Sequence, residues 1–393
     1  MSQRIARTLD PSSLPMFSFF LLFHIGCFAV IWTGFSATDV AIALGLFWLR
    51  IFGITAGYHR YFAHRAYKTS RVFQFILGFI AQSSMQSGLI WWASKHRDHH
   101  KFVDTPKDVH SPREYGFWFS HLGWIFNSQA QHTDYSNVPD ITRYPELVWL
   151  NKYHWVPGTI MGFTVWLFAG WSGLVVGFVM STVVLWHSTF AINSLAHVYG
   201  KQRYLTGDDS RNNFWLALLT LGEGWHNNHH YYMSSVRQGF YWWEVDITYY
   251  LLKLLSWFGL VWDLKEPPAH VRDGQRKISP EIMERVAERL ALTFSVDAIA
   301  ADLQARWDAE AARGRAAWDD FKHRLDAAVA EGRESLEQTL DQLHVPELPS
   351  LDEMKKKAER MFARSPMLDD IVARARAQLA EALAQRLAVA QPA

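Results

Sequence analysis

From about Pro15 to Phe35 the chain (PMFSFFLLFHIGCFAVIWTGF) carries no charged side chain, and from Val40 to about Thr55 the only one is Arg50. About 20 apolar residues suffice to cross the hydrocarbon core of a bilayer. The two stretches therefore predict a pair of spans joined through SATD, a turn too short for anything but a hairpin. Arg50 falls near the end of the second stretch, where a long side chain can snorkel to the interface. A second pair follows at roughly Val156 to Phe178 and Met180 to Ala196, both free of charge and punctuated by Gly170, Gly173 and Gly177. Residues 72 to 92 are apolar too, but Gln74, Gln82, Ser83, Ser84, Gln86 and Ser87 predict an amphipathic or interfacial helix and not a fifth crossing. Tyr241 to Leu264, aromatic at both ends with Glu244, Asp246 and Lys253 inside, predicts a helix lying in the interface.

Beyond Pro267 and Pro268 the pattern changes. Ile282 to Leu292, Ala298 to Leu325 and Leu368 to Leu387 repeat apolar residues at spacings of three and four among Glu, Arg and Ala, with Pro346, Pro349 and Pro366 between and around them. Composition divides the 393 residues at the same place. Residues 1–265 hold 20 basic and 15 acidic side chains and 17 of the 19 tryptophans, whereas residues 266–393 hold 19 basic and 23 acidic. The mean hydropathy of -0.08 thus averages a membrane-embedded part, 1–265, and a charged helical extension, 266–393. Neither part is a nucleic-acid binder by charge.

Lys and Arg set the expected orientation, because positive residues near short loops stay cytoplasmic. Arg4 and Arg7 precede the first span, and Arg60, Arg65, Lys68 and Arg71 follow the second. Lys152 precedes the second pair, and Lys201 and Arg203 follow it. Both termini are expected in the cytoplasm. The N-terminal segment lacks a small-residue cleavage site and is read as no signal peptide. The single cysteine, Cys27, rules out a disulfide framework or a multi-thiolate metal site.

The candidate chemistry lies in histidine. Of 18 histidines, eight fall in three clusters: His59 and His64 in GYHRYFAH, His96, His99 and His100 in KHRDHH, and His226, His229 and His230 in GEGWHNNHH. Positions i, i+3 and i+4 share one helical face, so each three-histidine cluster can aim its rings in one direction. The spacing of five between His59 and His64 suits a helix end that tightens or opens. Four imidazoles complete a structural zinc site, so eight or nine point to two metal ions. A hydrolytic zinc pair would need a general base such as the Glu of HExxH, which neither cluster contains. A redox-active iron pair could instead reduce dioxygen and attack an unactivated C–H bond.

The motifs GITAGYHRYFAHRAY, WWASKHRDHHKFVDTPKDVHSP and GEGWHNNHH, in this order and with spans between them, resemble the membrane-bound fatty acid desaturases, and most closely the bacterial type of the Δ9 acyl-CoA (stearoyl-CoA desaturase-like) group. The likeness covers about residues 15–265. It implies an all-α integral membrane protein with four transmembrane helices in two hairpins and a cytoplasmic helical cap carrying a histidine-rich di-iron site. The soluble helical C-terminal extension lies outside it. The implied reaction inserts a cis double bond into a saturated acyl chain with dioxygen and two electrons. The implied metal ligands are the eight clustered histidines and His197 of NSLAH, with Asn193 acting through water. Gln86, Trp92 and Thr189 correspond to residues lining the bend of the acyl tunnel. His24, His110, His121, His132, His154, His187, His270, His323 and His344 are assigned to no metal.

The chain departs from the family where animal members carry charged pairs that contact the nucleotide of CoA: here stand Ser94 and Lys95, and Ser128 and Gln129. The resemblance implies a CoA thioester as substrate, but fewer cations weaken attraction to a phosphorylated carrier, which keeps acyl carrier protein and a glycerolipid as alternatives. No HPGG haem motif is present, which makes the electron donor a separate protein such as a ferredoxin or flavin reductase. Two other readings stay open: a lipid hydroxylase or ketolase on the same scaffold, and a non-enzymatic membrane metal-binding scaffold.

Overall fold

The computed structural model describes residues 11–275 and His323. The helices expected in the extension, His323 apart, lie outside the described residues. Three helical runs among the described residues are long and apolar enough to cross a membrane: Leu14–Thr33 (α1), Ala37–Ala63 (α2) and Val156–His197. The stretch of α1 with the highest hydropathy buries none of its residues against the rest of the protein, and large side chains such as Leu22, Ile31 and Trp32 face outward. One side of α1 packs through Phe17, Phe20 and Phe23 on Phe126, Trp186 and Phe178, and the outward apolar remainder is satisfied by lipid.

The first reversal is built by Gly34, at φ 62° and ψ −166°, a conformation essentially confined to glycine. Helix α2 then starts from Ser36, whose hydroxyl accepts the Asp39 N–H at 3.2 Å while the Asp39 carboxylate accepts the Ser36 N–H at 2.8 Å, a reciprocal cap. The positive-φ glycine recurs in the third run. At 42 residues it would be roughly 60 Å long if straight, about twice the core of a bilayer. It is broken by Gly170 at φ 65° and ψ −159°, and Gly170-Trp171-Ser172 repeats Gly34-Phe35-Ser36. The arms 156–169 (α5) and 171–197 (α6) fold back on each other, with Gly162 against Phe178 and Gly177 near Val165. The sequence placed this turn near Val179. It sits at Gly170 because that residue alone there takes a positive φ, whereas Gly173–Met180 continues as a wide π-helix.

Arg50 does not snorkel. It is fully buried, donating to Thr182 Oγ1 at 2.6 Å, Ser181 Oγ at 2.5 Å and the Leu46 carbonyl at 3.1 Å. Polar partners on α6 outcompete the distant interface. Arg60, read from sequence as an orienting charge, is also buried and forms ion pairs with Glu223 and Asp246.

Helix α2 is α-helical to Phe52 and π-helical over Gly53–Ala63. After the short strand β1 (Lys68–Thr69), the stretch expected as one interfacial helix is two: α3 (Arg71–Gln82) and α4 (Leu89–Phe102). Between them Met85 and Ser87 both adopt positive φ, strain that a non-glycine backbone holds only when its surroundings fix it. Tyr58 and Trp186 do so, donating to the carbonyls of Ser87 (2.7 Å) and Ser84 (2.8 Å). A short helix, α7 (His226–Tyr231), carries the third histidine cluster. The predicted 241–264 helix is only Ile247–Trp257 (α8), since Val261–Trp262 (β2) pairs antiparallel with β1.

Candidate metal centre

The π-helix makes the spacing of His59 and His64 work. With five residues per hydrogen-bonded turn, the His64 N–H donates to the His59 carbonyl at 3.1 Å, and the two rings end on one face with centroids 4.8 Å apart. The other clusters divide. Although His96, His99 and His100 share a side of α4, His96 and His100 join His59, His64 and His229, while His99 joins His197, His226 and His230. All nine histidines indicated by sequence thus fall into two sets, each with its donor nitrogens within 4.8 Å of one another. The ordinary reading of His197, a histidine at a span end, is replaced by membership in the second set.

The nitrogens fit cations better than they fit each other. Nε2 of His229 lies 3.0 Å from that of His59 and 2.9 Å from that of His100; Nε2 of His96 lies 3.1 Å from that of His100 and 2.8 Å from that of His64. A neutral Nε2 has either one hydrogen or one lone pair, so at most two of these four contacts can be hydrogen bonds. Lone pairs converging on a shared ion remove the conflict, and two imidazole donors about 2.1 Å from an ion at right angles stand about 3.0 Å apart. In the second set Nε2 of His197 is 3.0 Å from that of His226, and the buried Nε2 of His230 has no hydrogen-bond partner.

Carboxylates hold the rings from behind. Nδ1 of His99 donates to Asp108 at 3.0 Å and Nδ1 of His230 to Asp208 at 3.1 Å; His59 pairs with Glu223, and His197 lies 3.6 Å from Asp104. A proton kept on Nδ1 leaves the Nε2 lone pair facing inward and makes it a stronger donor. Burial raises the Asp108 and Asp208 carboxyls, but His99 and His230 more than reverse this and leave both below the ordinary range. Burial, reinforced by neighbouring imidazoles, holds His64, His96, His100, His226 and His229 well below the usual histidine value, so they are neutral donors. Asp104, Asp108, Asp208 and Glu223 escaped the sequence reading. The available signal was proximity: Asp104 and Asp108 stand just beyond KHRDHH and Glu223 within GEGWHNNHH.

A cavity of about 370 Å³ opens beside the first set, lined by His96, Asn193, Trp92, Gln86 and Thr189 among others. Trp92 stacks on His96 with centroids 5.0 Å apart. Gln86, held between the two strained residues, donates to Thr189 Oγ1 at 2.8 Å, and Thr189 still bonds back to the Trp186 carbonyl at 2.9 Å. Lys95 also lines the cavity, whereas Ser94 is engaged with the Asp134 backbone. Of the remaining histidines, His110 is buried 3.5 Å from Asp108, His154 lines the cavity, and His24, His187 and His121 form a chain ending at Ser194.

Residues 31–261 match the family model for fatty acid desaturase. The chain is 39% identical over 250 residues to the sn-1 stearoyl-lipid 9-desaturase of Anabaena variabilis, covering 63% of this chain and 92% of that protein. It is 38% identical over 248 residues to the acyl-CoA 5-desaturase AL21 of Anemone leveillei (62% and 77% covered), and 38% identical over 239 residues to the Delta-9 acyl-lipid desaturase 1 of Arabidopsis thaliana (59% and 77%).

Proposed function

The chain belongs to the fatty acid desaturase family, and on that premise we propose that it inserts a cis double bond at the Δ9 position of a saturated acyl chain at a di-iron centre. The reading is supported above all by one observation: two converging sets of imidazole nitrogens beside an apolar cavity. The ligands in this reading are His59, His64, His96, His100 and His229 for one ion and His99, His197, His226 and His230 for the other, with Asn193 acting through water. The acyl chain arrives as a CoA thioester, with acyl carrier protein or a glycerolipid as the alternative carrier. A separate ferredoxin or flavin reductase supplies electrons. In this reading there are four crossings in two hairpins, both termini and the site face the cytoplasm, and a separate extension begins after Asp273.

The reaction removes two hydrogens from adjacent carbons, consumes dioxygen, two electrons and two protons, and releases two waters. Two bound irons would supply the dioxygen reduction and hydrogen abstraction that no side chain performs. The chain's own part is positioning. Asp108, Asp208 and Glu223 fix the rings they touch, and the Gln86–Thr189 hydrogen bond and Trp92 shape the wall against which the acyl chain bends. The apolar lining keeps water from the reacting carbons. Metal analysis of the purified protein, with GC-MS mapping of double bonds in lipids from expressing cells, tests the proposal. Two irons and a new Δ9 alkene are expected; hydroxylated chains without an alkene would replace it with the hydroxylase reading.

A further inference from the structure

The residues of α7 that are not metal-ligand candidates all lead to one aromatic edge. Asn227 accepts the Tyr204 N–H at 2.7 Å and donates to the Tyr204 carbonyl at 3.0 Å. Asn228 donates to Glu244 at 2.9 Å, and Glu244 pairs with Arg203. Tyr231 stacks on Tyr204, with centroids 4.3 Å apart and planes within 6°. The Tyr204 and Tyr241 hydroxyls both donate to the Arg272 carbonyl, at 2.6 and 2.9 Å. Tyr241 in turn stacks on Trp243 at 4.7 Å, and Trp243 meets Trp242 at 5.7 Å. Tyr204 is 2% exposed and Trp242 is 78% exposed. Aromatic rings, bridged between Tyr241 and Tyr204 by the Arg272 carbonyl and the Arg203 guanidinium, therefore run from the surface to the residue next to His230.

We propose that the Trp242–Trp243 edge is the docking surface for a one-electron redox protein, and that Tyr241, Tyr204 and Tyr231 carry its electrons to the histidines of α7. This rests on the reading of the site as a redox-active iron pair. Tunnelling falls steeply with each through-space gap, and the stacked rings shorten those gaps. Each encounter oxidises the donor by one electron, so two encounters serve one turnover, and no bond forms or breaks along the route. An aqueous partner is favoured over a bilayer because Arg203, over Tyr241 at 4.9 Å, and the exposed Asp273 adjoin the edge and would lose their hydration in lipid. Large exposed tryptophans are also the usual anchors of protein interfaces.

The test uses the full-length, iron-loaded protein in lipid nanodiscs, with Cys27→Ser to clear the native thiol and Trp242→Cys to carry a ruthenium photoreductant. Flash reduction of the ferric centre, followed by absorbance, is expected to slow at least tenfold with Tyr204→Leu or Tyr231→Leu and to stay within threefold with Tyr204→Phe. Iron content and the rate of reduction by dithionite stay unchanged. An unchanged flash rate, or an equal slowing with dithionite, overturns the route while leaving the iron reading intact; a protein with no reducible iron removes both. A nitroxide at the same cysteine should relax more with a water-soluble nickel chelate than with oxygen. The opposite order would place the edge in the bilayer and overturn docking.

Discussion

His59 and His64 lie on one face of α2 because the helix between them is a π-helix: the His64 N–H reaches the His59 carbonyl five residues back, at 3.1 Å. In an α-helix a spacing of five would turn the rings roughly 140° apart. The wide turn brings both rings to the nitrogen set that His229 completes from α7, so the first histidine pair depends on a local departure from standard helical geometry.

His229 reaches this set from α7 and touches both His59 and His100. His229→Ala is expected to lower bound iron by half or more and to abolish new double bonds in cellular lipids. Plasma emission spectrometry and GC-MS check this, and unchanged metal content would remove His229 from the ligand set.

Asp208 orients His230 without belonging to either nitrogen set. Asp208→Asn keeps the size of the side chain but weakens its hold on Nδ1, and changes behind a metal ligand typically cost about 10–100-fold in metal affinity or activity. Competition with a chelator reads the affinity directly. A variant binding iron as tightly as the native protein contradicts the assignment.

Gly170 sits in a backbone region that residues with a side chain occupy only under strain, and a Cβ there meets nothing within 4 Å. Gly170→Ala is therefore a clean test of conformation, expected to cost about 1–3 kcal/mol. The thermal midpoint in detergent should fall accordingly, and Gly45→Ala, inside α2 and equally uncrowded, should not lower it.

Acid should destabilise the metal-free protein. His64, His96, His100, His226 and His229 are held below the ordinary histidine value in the folded state, so below about pH 6.5 the unfolded chain binds more protons than the folded one. The stability of chelator-treated protein is expected to fall as pH drops from 7.5 to 5.5. A flat profile would show that these rings are not kept neutral by burial.

The long apolar helices, the clusters and the family were legible in the sequence because each rests on a local signal: runs without charge, histidines at helical spacing, and motifs in order. Local signals also misled. The charge-free stretch offered no charged residue to mark its turn and was divided near Val179, yet the reversal took the glycine whose φ could become positive, Gly170. Arg50 looked like an interfacial cation, yet Ser181 and Thr182 on another helix satisfy it inside the protein.

By itself the sequence determined which side chains can donate to metal and which segments lipid can solvate, since both follow from residue type and short-range periodicity. Only the tertiary structure decided that each three-histidine cluster serves both nitrogen sets, that four carboxylates stand behind the rings, and that Gln86 meets Thr189 in the cavity wall. Those relations join residues up to 170 positions apart, as in His59 and His229. No periodicity along the chain encodes which helices pack together, and it is that packing which converts a surplus of imidazoles into two sites.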